Sequence, residues 1–307
     1  MSSPRIAVEP ECWRREALVA AVERGGGTVT GPDDAEGLVW AEPARADLLP
    51  PMVNEHRNIT WVQLPYAGVE PFIDMLRTRP DLLWTCGKGV YAAPVAEHIL
   101  MLALAGMRGL ATYARAATWE APEGRNLFDA KVTVLGGGGI TEELLPLLAP
   151  FRCDVTVMRN RVAPMDGANR VVGPDALHDL LPGTDLLVLA LALTPETEGI
   201  IGTAELDLLP DHAWVVNLAR GKHVVTDELV DALRSGSIAG AALDVTEPEP
   251  LPDGHPLWSL PNCLITPHIG NTPEMGLRLL ADRVADNVAR RAAGEELIGP
   301  VDVDLGY

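Results

Sequence analysis

The chain has 307 residues, 47% of them hydrophobic, and a formal net charge of −19 at pH 7. This length suits two domains of ordinary size, and the hydrophobic share is large enough to bury real cores, which excludes a disordered chain. The negative charge argues against nucleic acid and anionic membranes as partners. A small anionic ligand is still compatible with it, because a single Arg can outweigh the overall field locally.

The opening residues and the cysteines bear on location. The opening stretch, MSSPRIAVEPECWRRE, contains no apolar run suited to a signal peptide. The longest apolar stretch, Ile99–Met107, has nine residues and is too short to span a bilayer. The four cysteines show no CxxC spacing, and no His or Cys pair has the spacing of metal ligands. We therefore expect a cytoplasmic protein with reduced thiols and no metal site.

Short apolar runs alternate with helical periodicity over the first hundred residues, which predicts a parallel sheet with helices on both faces. The predicted strands are Ile6–Val8, Leu38–Trp40, Ile59–Gln63 and Leu82–Thr85. The predicted helices are Trp13–Glu23, Ala46–Glu55 and Val69–Leu76.

A long apolar helix is predicted from Pro94 to about Arg115, since Pro suits the first turn of a helix. A helix this apolar must be covered nearly all round, so it either crosses between domains or packs against a second subunit. The irregular stretch Trp119–Phe128 is predicted to be a loop that leads into a second domain.

The alternation of strands and helices resumes at residue 131 and predicts six more strands. They are Lys131–Leu135, Cys153–Met158, Leu186–Ala190, Ala213–Asn217, Ile238–Leu243 and Cys263–Thr266. Val225–Leu233 is predicted to be a helix capped by Thr226, and Pro273–Arg291 a long amphipathic helix. Six strands with intervening helices suit a dinucleotide-binding fold.

One polar side chain follows each of the last three strands: Arg220, then Glu249 in an acid-rich Pro turn, then His268. Because the carboxyl ends of parallel strands converge on one edge of a sheet, where ligands bind, we expect these side chains to form a site. Taken singly, each has an ordinary explanation: a surface charge, a turn residue and a structural His.

A glycine-rich turn separates the strand Lys131–Leu135 from the following helix. Such a turn lets backbone N–H groups and a helix N-terminus face a pyrophosphate. The candidate cofactor-binding residues here are Gly136, Gly138, Gly139 and Ile140. Thr141 occupies the third glycine position, so we expect a looser contact between helix and strand there, and Pro146 is expected to kink the helix. An ordinary glycine-rich turn is the alternative interpretation.

The end of the next strand predicts the choice of cofactor. An NAD site usually has Asp or Glu at this place for the ribose hydroxyls. This chain has Arg159, Asn160 and Arg161 instead, and guanidinium groups suit a ribose phosphate. We therefore predict NADP(H), with NAD(H) as a possible cofactor; a basic, solvated loop is the alternative.

In combination, these motifs resemble the D-isomer-specific 2-hydroxyacid dehydrogenase family, in particular its glyoxylate/hydroxypyruvate reductase-like branch. The resemblance runs from about residue 60 to 275 and is carried, in order, by GVYAAPVAEHILMLALA, the glycine turn, LALTPETEGIIG, NLARGKHVVTDELVDAL, ALDVTEPEPL and LITPHIG. It implies an α/β fold of two doubly wound parallel-sheet domains. A Rossmann dinucleotide-binding domain, residues 94–270, would be inserted into a discontinuous flavodoxin-like substrate domain, residues 1–93 and 271–307. Family members form homodimers largely through the inserted domain.

The resemblance also implies roles for individual residues. Arg220 matches the Arg that binds the substrate carboxylate, His268 the catalytic His, and Glu249 the acid that pairs with it. The implied reaction has a physical basis, since His exchanges protons near neutral pH, a carboxylate orients its ring, and an Arg holds a keto acid in place. Further implied ligand-binding residues are Asp244 near the nicotinamide carboxamide, Thr194 in the cofactor loop, and Tyr66, Ala67 and Gly68 with their amides toward the carboxylate.

Two positions carry open alternatives or a departure from the family. Trp40 either lines the substrate pocket or is a core residue, and Ala192 stands where the family usually has Pro.

The predicted activity is that of an oxidoreductase, which moves a hydride between NADP(H) or NAD(H) and a small 2-keto or 2-hydroxy acid such as glyoxylate or hydroxypyruvate. The alternative is a nucleotide-sensing binding protein of the same fold, in which the three polar side chains would be dispensable.

Overall fold

The computed structural model describes residues 3–302, which divide into two compact units. The first unit consists of the described parts of Met1–Tyr91 and Thr272–Tyr307, and the second is Ala92–Asn271. The second unit is therefore an insertion into the first. The sequence placed the corresponding boundaries after residues 93 and 270.

The first unit is built on a parallel sheet. Its elements before the insertion are β1 (Arg5–Glu9), α1 (Arg15–Arg24), β2 (Thr28–Val29), β3 (Gly37–Trp40), α2 (Leu49–Glu55), β4 (Trp61–Gln63), α3 (Ile73–Thr78) and β5 (Leu83–Thr85). Within the described residues, the five strands are ordered β2-β1-β3-β4-β5 and all pairs are parallel. This is the flavodoxin-like order that the resemblance implied. The sequence missed β2 because two residues are too few to show an apolar pattern.

The second unit has its own parallel sheet. Its elements are α4 (Ala92–Met107), α5 (Leu110–Arg115), β6 (Lys131–Leu135), α6 (Gly139–Leu148), β7 (Asp154–Met158), β8 (Arg170–Val172), α7 (Leu177–Leu180), β9 (Leu186–Leu189), α8 (Thr203–Leu206), β10 (Trp214–Asn217), α9 (Thr226–Ser235), β11 (Gly240–Leu243) and β12 (Cys263–Ile265). In this described part of the chain the order is β12-β11-β10-β9-β6-β7-β8. Counted from β6, strands one to six follow the Rossmann order, and the seventh extends the sheet.

Three local predictions for the second unit are wrong. The predicted single helix from Pro94 to Arg115 is two helices, because Gly109 has a left-handed backbone (φ +64°) that interrupts it. The sheet has one more strand than predicted. The sequence did not reveal β8 because its Arg170 is charged and exposed and its two valines are only partly buried. Thr226 does not cap α9; Val225 holds the N-cap position, and the Thr226 hydroxyl donates to the carbonyl oxygen of Glu247 at 2.7 Å.

The last helix, α10 (Pro273–Ala293), returns the chain to the first unit. Its buried residues Leu280, Val284 and Val288 share one apolar cluster with Leu18 and Val22 of α1. The Thr272 hydroxyl caps the helix by accepting from the Met275 amide at 3.3 Å. The amphipathic pattern in the sequence therefore identified this helix correctly, and its apolar stripe closes one face of the first sheet.

Two features are absent from residues 3–302. No helix in that range is long and apolar enough to cross a membrane. Nor does that range contain a group of three or more His, Cys, Asp or Glu side chains placed to hold a metal ion.

Candidate active site

His268 and Glu249 form a close pair in the second unit. His268 follows β12, and its Nδ1 lies 2.6 Å from Glu249 Oε1, with 54% and 41% of the two side chains exposed. A ring held by a carboxylate at Nδ1 presents Nε2 for proton exchange. The backbone of His268 is left-handed, at φ +54°, which is uncommon for a residue with a side chain. The pair is therefore accessible, and its geometry is held by the surrounding turn.

Asp244, just after β11, builds that turn. Its Oδ1 accepts from the Thr266 hydroxyl at 2.6 Å and the Ile269 amide at 2.9 Å, and its Oδ2 accepts from the Gly270 amide at 2.8 Å. Burial alone raises the pKa of Asp244, but these hydrogen bonds and one from His98 outweigh burial and bring the pKa to about 2. The carboxylate is thus ionised at neutral pH and organises the segment that carries the catalytic candidate His268.

Arg220 lies in a tight turn directly after β10. The buried side chain of Asn217 shapes this turn, since its amide donates to the Arg220 carbonyl oxygen at 2.9 Å and its Oδ1 accepts from the Ala219 amide at 3.0 Å. Arg220 Nη1 also donates to the Ala219 carbonyl oxygen at 2.8 Å. This last hydrogen bond orients the half-buried guanidinium group of Arg220.

The Arg220 turn is packed against the turn that carries Glu249. Gly221 lies so close to Thr246 that a Cβ on Gly221 would overlap the Thr246 carbonyl carbon and oxygen. The Thr226 hydroxyl adds its bond to the Glu247 carbonyl oxygen on the same side. Backbone contact at a glycine thus sets the spacing between the cation and the acid.

The glycine turn after β6 has the shape of a phosphate-binding turn. Gly136 has φ +109°, and a Cβ there would overlap the Ala190 carbonyl. Gly138 is the N-cap of α6, and Gly139 and Ile140 are its first residues, so the positive end of the helix dipole lies at the carboxyl edge of the sheet. The shape of the turn fits a dinucleotide.

Thr141 does not loosen the glycine turn, contrary to expectation. Its side chain is fully buried, and its hydroxyl donates to the Gly136 carbonyl oxygen at 2.7 Å. The hydroxyl thus ties α6 to the turn where a third glycine would merely allow close approach. The helix continues past Pro146 to Leu148.

Only one of the two candidate phosphate-binding arginines lies on the glycine turn. The Arg159 side chain crosses Gly137, and a Cβ on Gly137 would lie 2.5 Å from Arg159 Cδ. Arg159 is half-buried, whereas Asn160 and Arg161 are exposed. The sequence left the choice between the two arginines open, and the packing of the turn distinguishes them.

The other predicted cofactor residue, Thr194, lies in the loop after β9. Its backbone N–H donates to the Thr197 hydroxyl at 2.8 Å, and its carbonyl oxygen accepts from the Thr197 amide at 3.1 Å. The Thr197 hydroxyl also donates to the Ala192 carbonyl oxygen at 2.8 Å. This loop is therefore a compact hydrogen-bonded turn at the carboxyl edge of the sheet, the same edge as the glycine turn.

In the first unit, the loop of Tyr66, Ala67 and Gly68 follows β4. Its Tyr66 hydroxyl accepts from Arg14 Nη2 at 3.1 Å, and its Tyr66 carbonyl oxygen accepts from the Gly87 amide at 2.9 Å. Arg14 is almost fully buried and pairs with Glu42 at 3.3 Å. These contacts join the loop to Arg14 and to the segment after β5.

Trp40 belongs to the core of the first unit. Its side chain is fully buried in a cluster with Leu49 and Val53, so of the two alternatives for this residue the core one describes its packing. Its indole N–H has no hydrogen-bond partner within the described residues.

Three further residues support the site, Arg14, His98 and His223, and sequence reasoning did not identify Arg14 and His223. His98 of α4 places Nε2 3.0 Å from the Thr266 hydroxyl and 3.4 Å from Asp244 Oδ1. His223 contacts the backbone of Arg220. His98 is a polar residue in the mostly apolar α4, which is a signal in the sequence, whereas Arg14 and His223 stand beside charged residues and give no such signal.

Comparisons with known proteins agree with this architecture. A family model described as D-isomer specific 2-hydroxyacid dehydrogenase, NAD binding domain, matches residues 98–270. A glyoxylate/hydroxypyruvate reductase A from Yersinia enterocolitica is 31% identical over 284 residues, which cover 88% of this chain and 87% of that protein.

Two solved structures match over the full length of both chains. A D-isomer specific 2-hydroxyacid dehydrogenase from Xanthobacter autotrophicus, in complex with NADPH and MES, has a TM-score of 0.84 and 29% identity. An NADPH-dependent glyoxylate/hydroxypyruvate reductase from Sinorhizobium meliloti, in complex with NADP and sulfate, has a TM-score of 0.81 and 25% identity. With the family model covering more than half of the chain and a 31% identical relative covering most of it, the chain belongs to the D-isomer specific 2-hydroxyacid dehydrogenase family.

Proposed function

We propose that the protein is an NADP(H)-dependent reductase of small 2-keto acids such as glyoxylate and hydroxypyruvate. The observation that carries the proposal is the His268–Glu249 pair at 2.6 Å, on the same sheet edge as Arg220 and the glycine turn. The names of the Yersinia and Sinorhizobium relatives support the substrate class. The NADPH and NADP complexes of two structural relatives support the cofactor.

The proposed mechanism assigns one task to each side chain. Arg220 binds the carboxylate of the keto acid and orients its carbonyl. The chemistry supplied by a bound nicotinamide cofactor is hydride transfer to the carbonyl carbon. His268 donates the Nε2 proton to the carbonyl oxygen, which completes the 2-hydroxy acid, and Glu249 stabilises the ring in its charged form before the transfer. In the first unit, Tyr66–Gly68 is the proposed substrate-binding loop.

Steady-state reduction of glyoxylate and hydroxypyruvate tests the function, with Arg220→Lys as the matched variant. Lys keeps the charge but loses the planar fork that binds a carboxylate with two hydrogen bonds. We expect wild type to reduce at least one of the two acids, and Arg220→Lys to raise its KM about tenfold and to lower kcat. A wild type that binds NADPH but turns over neither acid would favour the nucleotide-sensing alternative. Unchanged kinetics in Arg220→Lys would place the carboxylate elsewhere.

Cofactor preference is proposed to depend on Arg159. A charge-assisted hydrogen bond to the ribose phosphate contributes about 1.5–3 kcal/mol, and each 1.4 kcal/mol is a factor of ten. We therefore expect wild type to favour NADPH over NADH about tenfold or more in kcat/KM, and Arg159→Ala to lose that preference. Arg161→Ala is the control, since it removes an exposed neighbouring charge. Preference for NADH in wild type, or equal effects of both variants, would contradict this assignment.

A homodimer and a cytoplasmic location complete the proposal. Residues 92–128 of the second unit expose four large apolar side chains, Met101, Leu110, Trp119 and Phe128, which support self-association through this segment. The solution mass from analytical ultracentrifugation measures the assembly, and a monomer at micromolar concentration would contradict it.

The four cysteines are free thiols, as a reducing compartment requires, and cell fractionation checks the location.

A further inference from the structure

His223 is a fully buried imidazole to which the proposed mechanism gives no task. It ends the short helical turn that begins after Arg220, and it lies between two segments of the second unit. On one side its Nδ1 lies 3.2 Å from the Arg220 amide nitrogen and 3.0 Å from the Arg220 carbonyl oxygen. On the other side its Nε2 lies 3.3 Å from the carbonyl oxygen of Ala192, in the loop after β9. A single ring thus bridges the turn of the candidate carboxylate-binding Arg and the candidate cofactor loop.

The contacts of the two ring nitrogens bear on which nitrogen carries the hydrogen and whether the ring is charged. With the hydrogen on Nε2, the ring donates to Ala192 and its Nδ1 lone pair accepts from Arg220, so both ends are satisfied. With the hydrogen on Nδ1, the ring would donate to the Arg220 carbonyl oxygen instead, and the Nε2 lone pair would face the Ala192 oxygen. Burial, aided by the charge of Arg220, holds the pKa of His223 below its usual value, although the contacts with the Ala192 and Arg220 carbonyl oxygens act in the opposite direction. The ring is therefore neutral, and only with its hydrogen on Nε2 does it bond to both segments.

Neighbouring backbone bonds join the same two segments at one end of the loop, so the imidazole is a second connection at the other end. The Gly199 amide donates to the Lys222 carbonyl oxygen at 2.8 Å, and the Ile201 amide donates to the His223 carbonyl oxygen at 3.0 Å. These bonds hold the far end of the loop after β9. The near end, where Ala192 and Thr194 lie, is joined to the Arg220 turn through the imidazole. An apolar side chain would fill the same volume but would leave the Arg220 amide and the Ala192 carbonyl oxygen without this partner.

We propose that His223 is a positioning residue that aligns the carboxylate-binding Arg220 with the cofactor loop at Ala192–Thr194. It touches neither substrate nor cofactor and acts through the two backbone segments. The inference rests on the proposed function for the roles of those segments. Its particular claim is that the two ends of one ring serve two different ligands: Nδ1 serves the keto acid and Nε2 serves NADPH.

Two amide variants separate the two ends of the ring. An Asn side chain places its oxygen near the position of Nδ1, and a Gln side chain places its nitrogen near that of Nε2. We expect His223→Asn to weaken NADPH binding, measured as Kd by fluorescence, about threefold to tenfold, and to leave the keto-acid KM within about twofold. His223→Gln is expected to raise the keto-acid KM by a similar factor and to leave the NADPH Kd within about twofold.

The exposed His178, which pairs with Glu205 at 2.8 Å, provides the control. His178→Asn and His178→Gln should leave both parameters unchanged. Equal effects of His223→Asn and His223→Gln on both ligands, or no effect on either, would reduce His223 to a packing residue and overturn the inference.

The ¹⁵N shifts of the wild-type ring give a second test that needs no variant, and a hydrogen on Nδ1 would also overturn it. A wild type without keto-acid turnover would refute the proposed function instead, while the NADPH arm would still test His223.

Discussion

Replacing His268 with Ala should lower kcat for keto-acid reduction by about a hundredfold or more, the usual loss when a general acid is removed. The reason is that the proton for the carbonyl oxygen would then come from water. The His268 side chain is half-exposed and contacts Glu249 through Nδ1, so its removal should leave the fold and the NADPH affinity nearly unchanged. Stopped-flow measurement of NADPH oxidation at saturating keto acid gives the rate of the chemical step.

His178→Ala is the control, because it removes an imidazole from the surface of the same unit. It should retain wild-type kcat. Near-wild-type turnover in His268→Ala would show that another group supplies the proton. A parallel loss of NADPH binding would show instead that His268 supports the cofactor site.

Replacing Gly221 with Ala should affect stability and activity together. The added methyl group would overlap the Thr246 carbonyl, which is backbone and has no rotamer by which to move away. We expect the free energy of unfolding to fall by about 3 kcal/mol, at the upper end for overpacking, measured by urea denaturation. The Arg220 and Glu249 turns would be forced apart, so kcat/KM should fall by about a hundredfold even in the folded fraction.

Gly183→Ala is the matched control for this prediction. Gly183 lies in the same unit and has no positive φ, and a methyl group there meets open space. It should leave both stability and kcat/KM near wild type. Equal behaviour of the two variants would mean that the backbone contact at Gly221 relaxes easily and does not set the distance between the cation and the acid.

Much of the fold could be predicted because most of its strands are short apolar runs bounded by turn residues. Lys131–Leu135 was predicted with its observed bounds, and the long helix from Pro273 was predicted to within two residues of its end at Ala293. Arg220, Glu249 and His268 could be chosen as candidates because each follows a predicted strand, and the parallel order brings strand ends to one edge. Local patterns were sufficient for these inferences.

Elements without a local apolar pattern were missed or misjudged. β8 (Arg170–Val172) forms because it pairs with β7, and the break at Gly109 depends on a backbone conformation that the apolar sequence around it does not reveal. Thr141 was expected to loosen the contact between helix and strand, yet its hydroxyl donates to the Gly136 carbonyl oxygen. In each case the deciding feature is a strand pairing, a backbone conformation or a side-chain hydrogen bond, none of which an apolar pattern reveals.

The sequence by itself determined most of the strands and helices, the wound parallel class of both sheets and the family, because these depend on periodicity and on motifs a few residues long. Only the tertiary structure decided which of Arg159 and Arg161 lies on the glycine turn, how Asp244 holds the segment of His268, and how His223 joins Arg220 to Ala192. Each of these depends on a contact between loops that are distant in sequence, and the order and spacing of the strands bring those loops together. From the sequence, many residues could lie beside a side chain at a strand end. Only the packing of the folded chain determines which residue does.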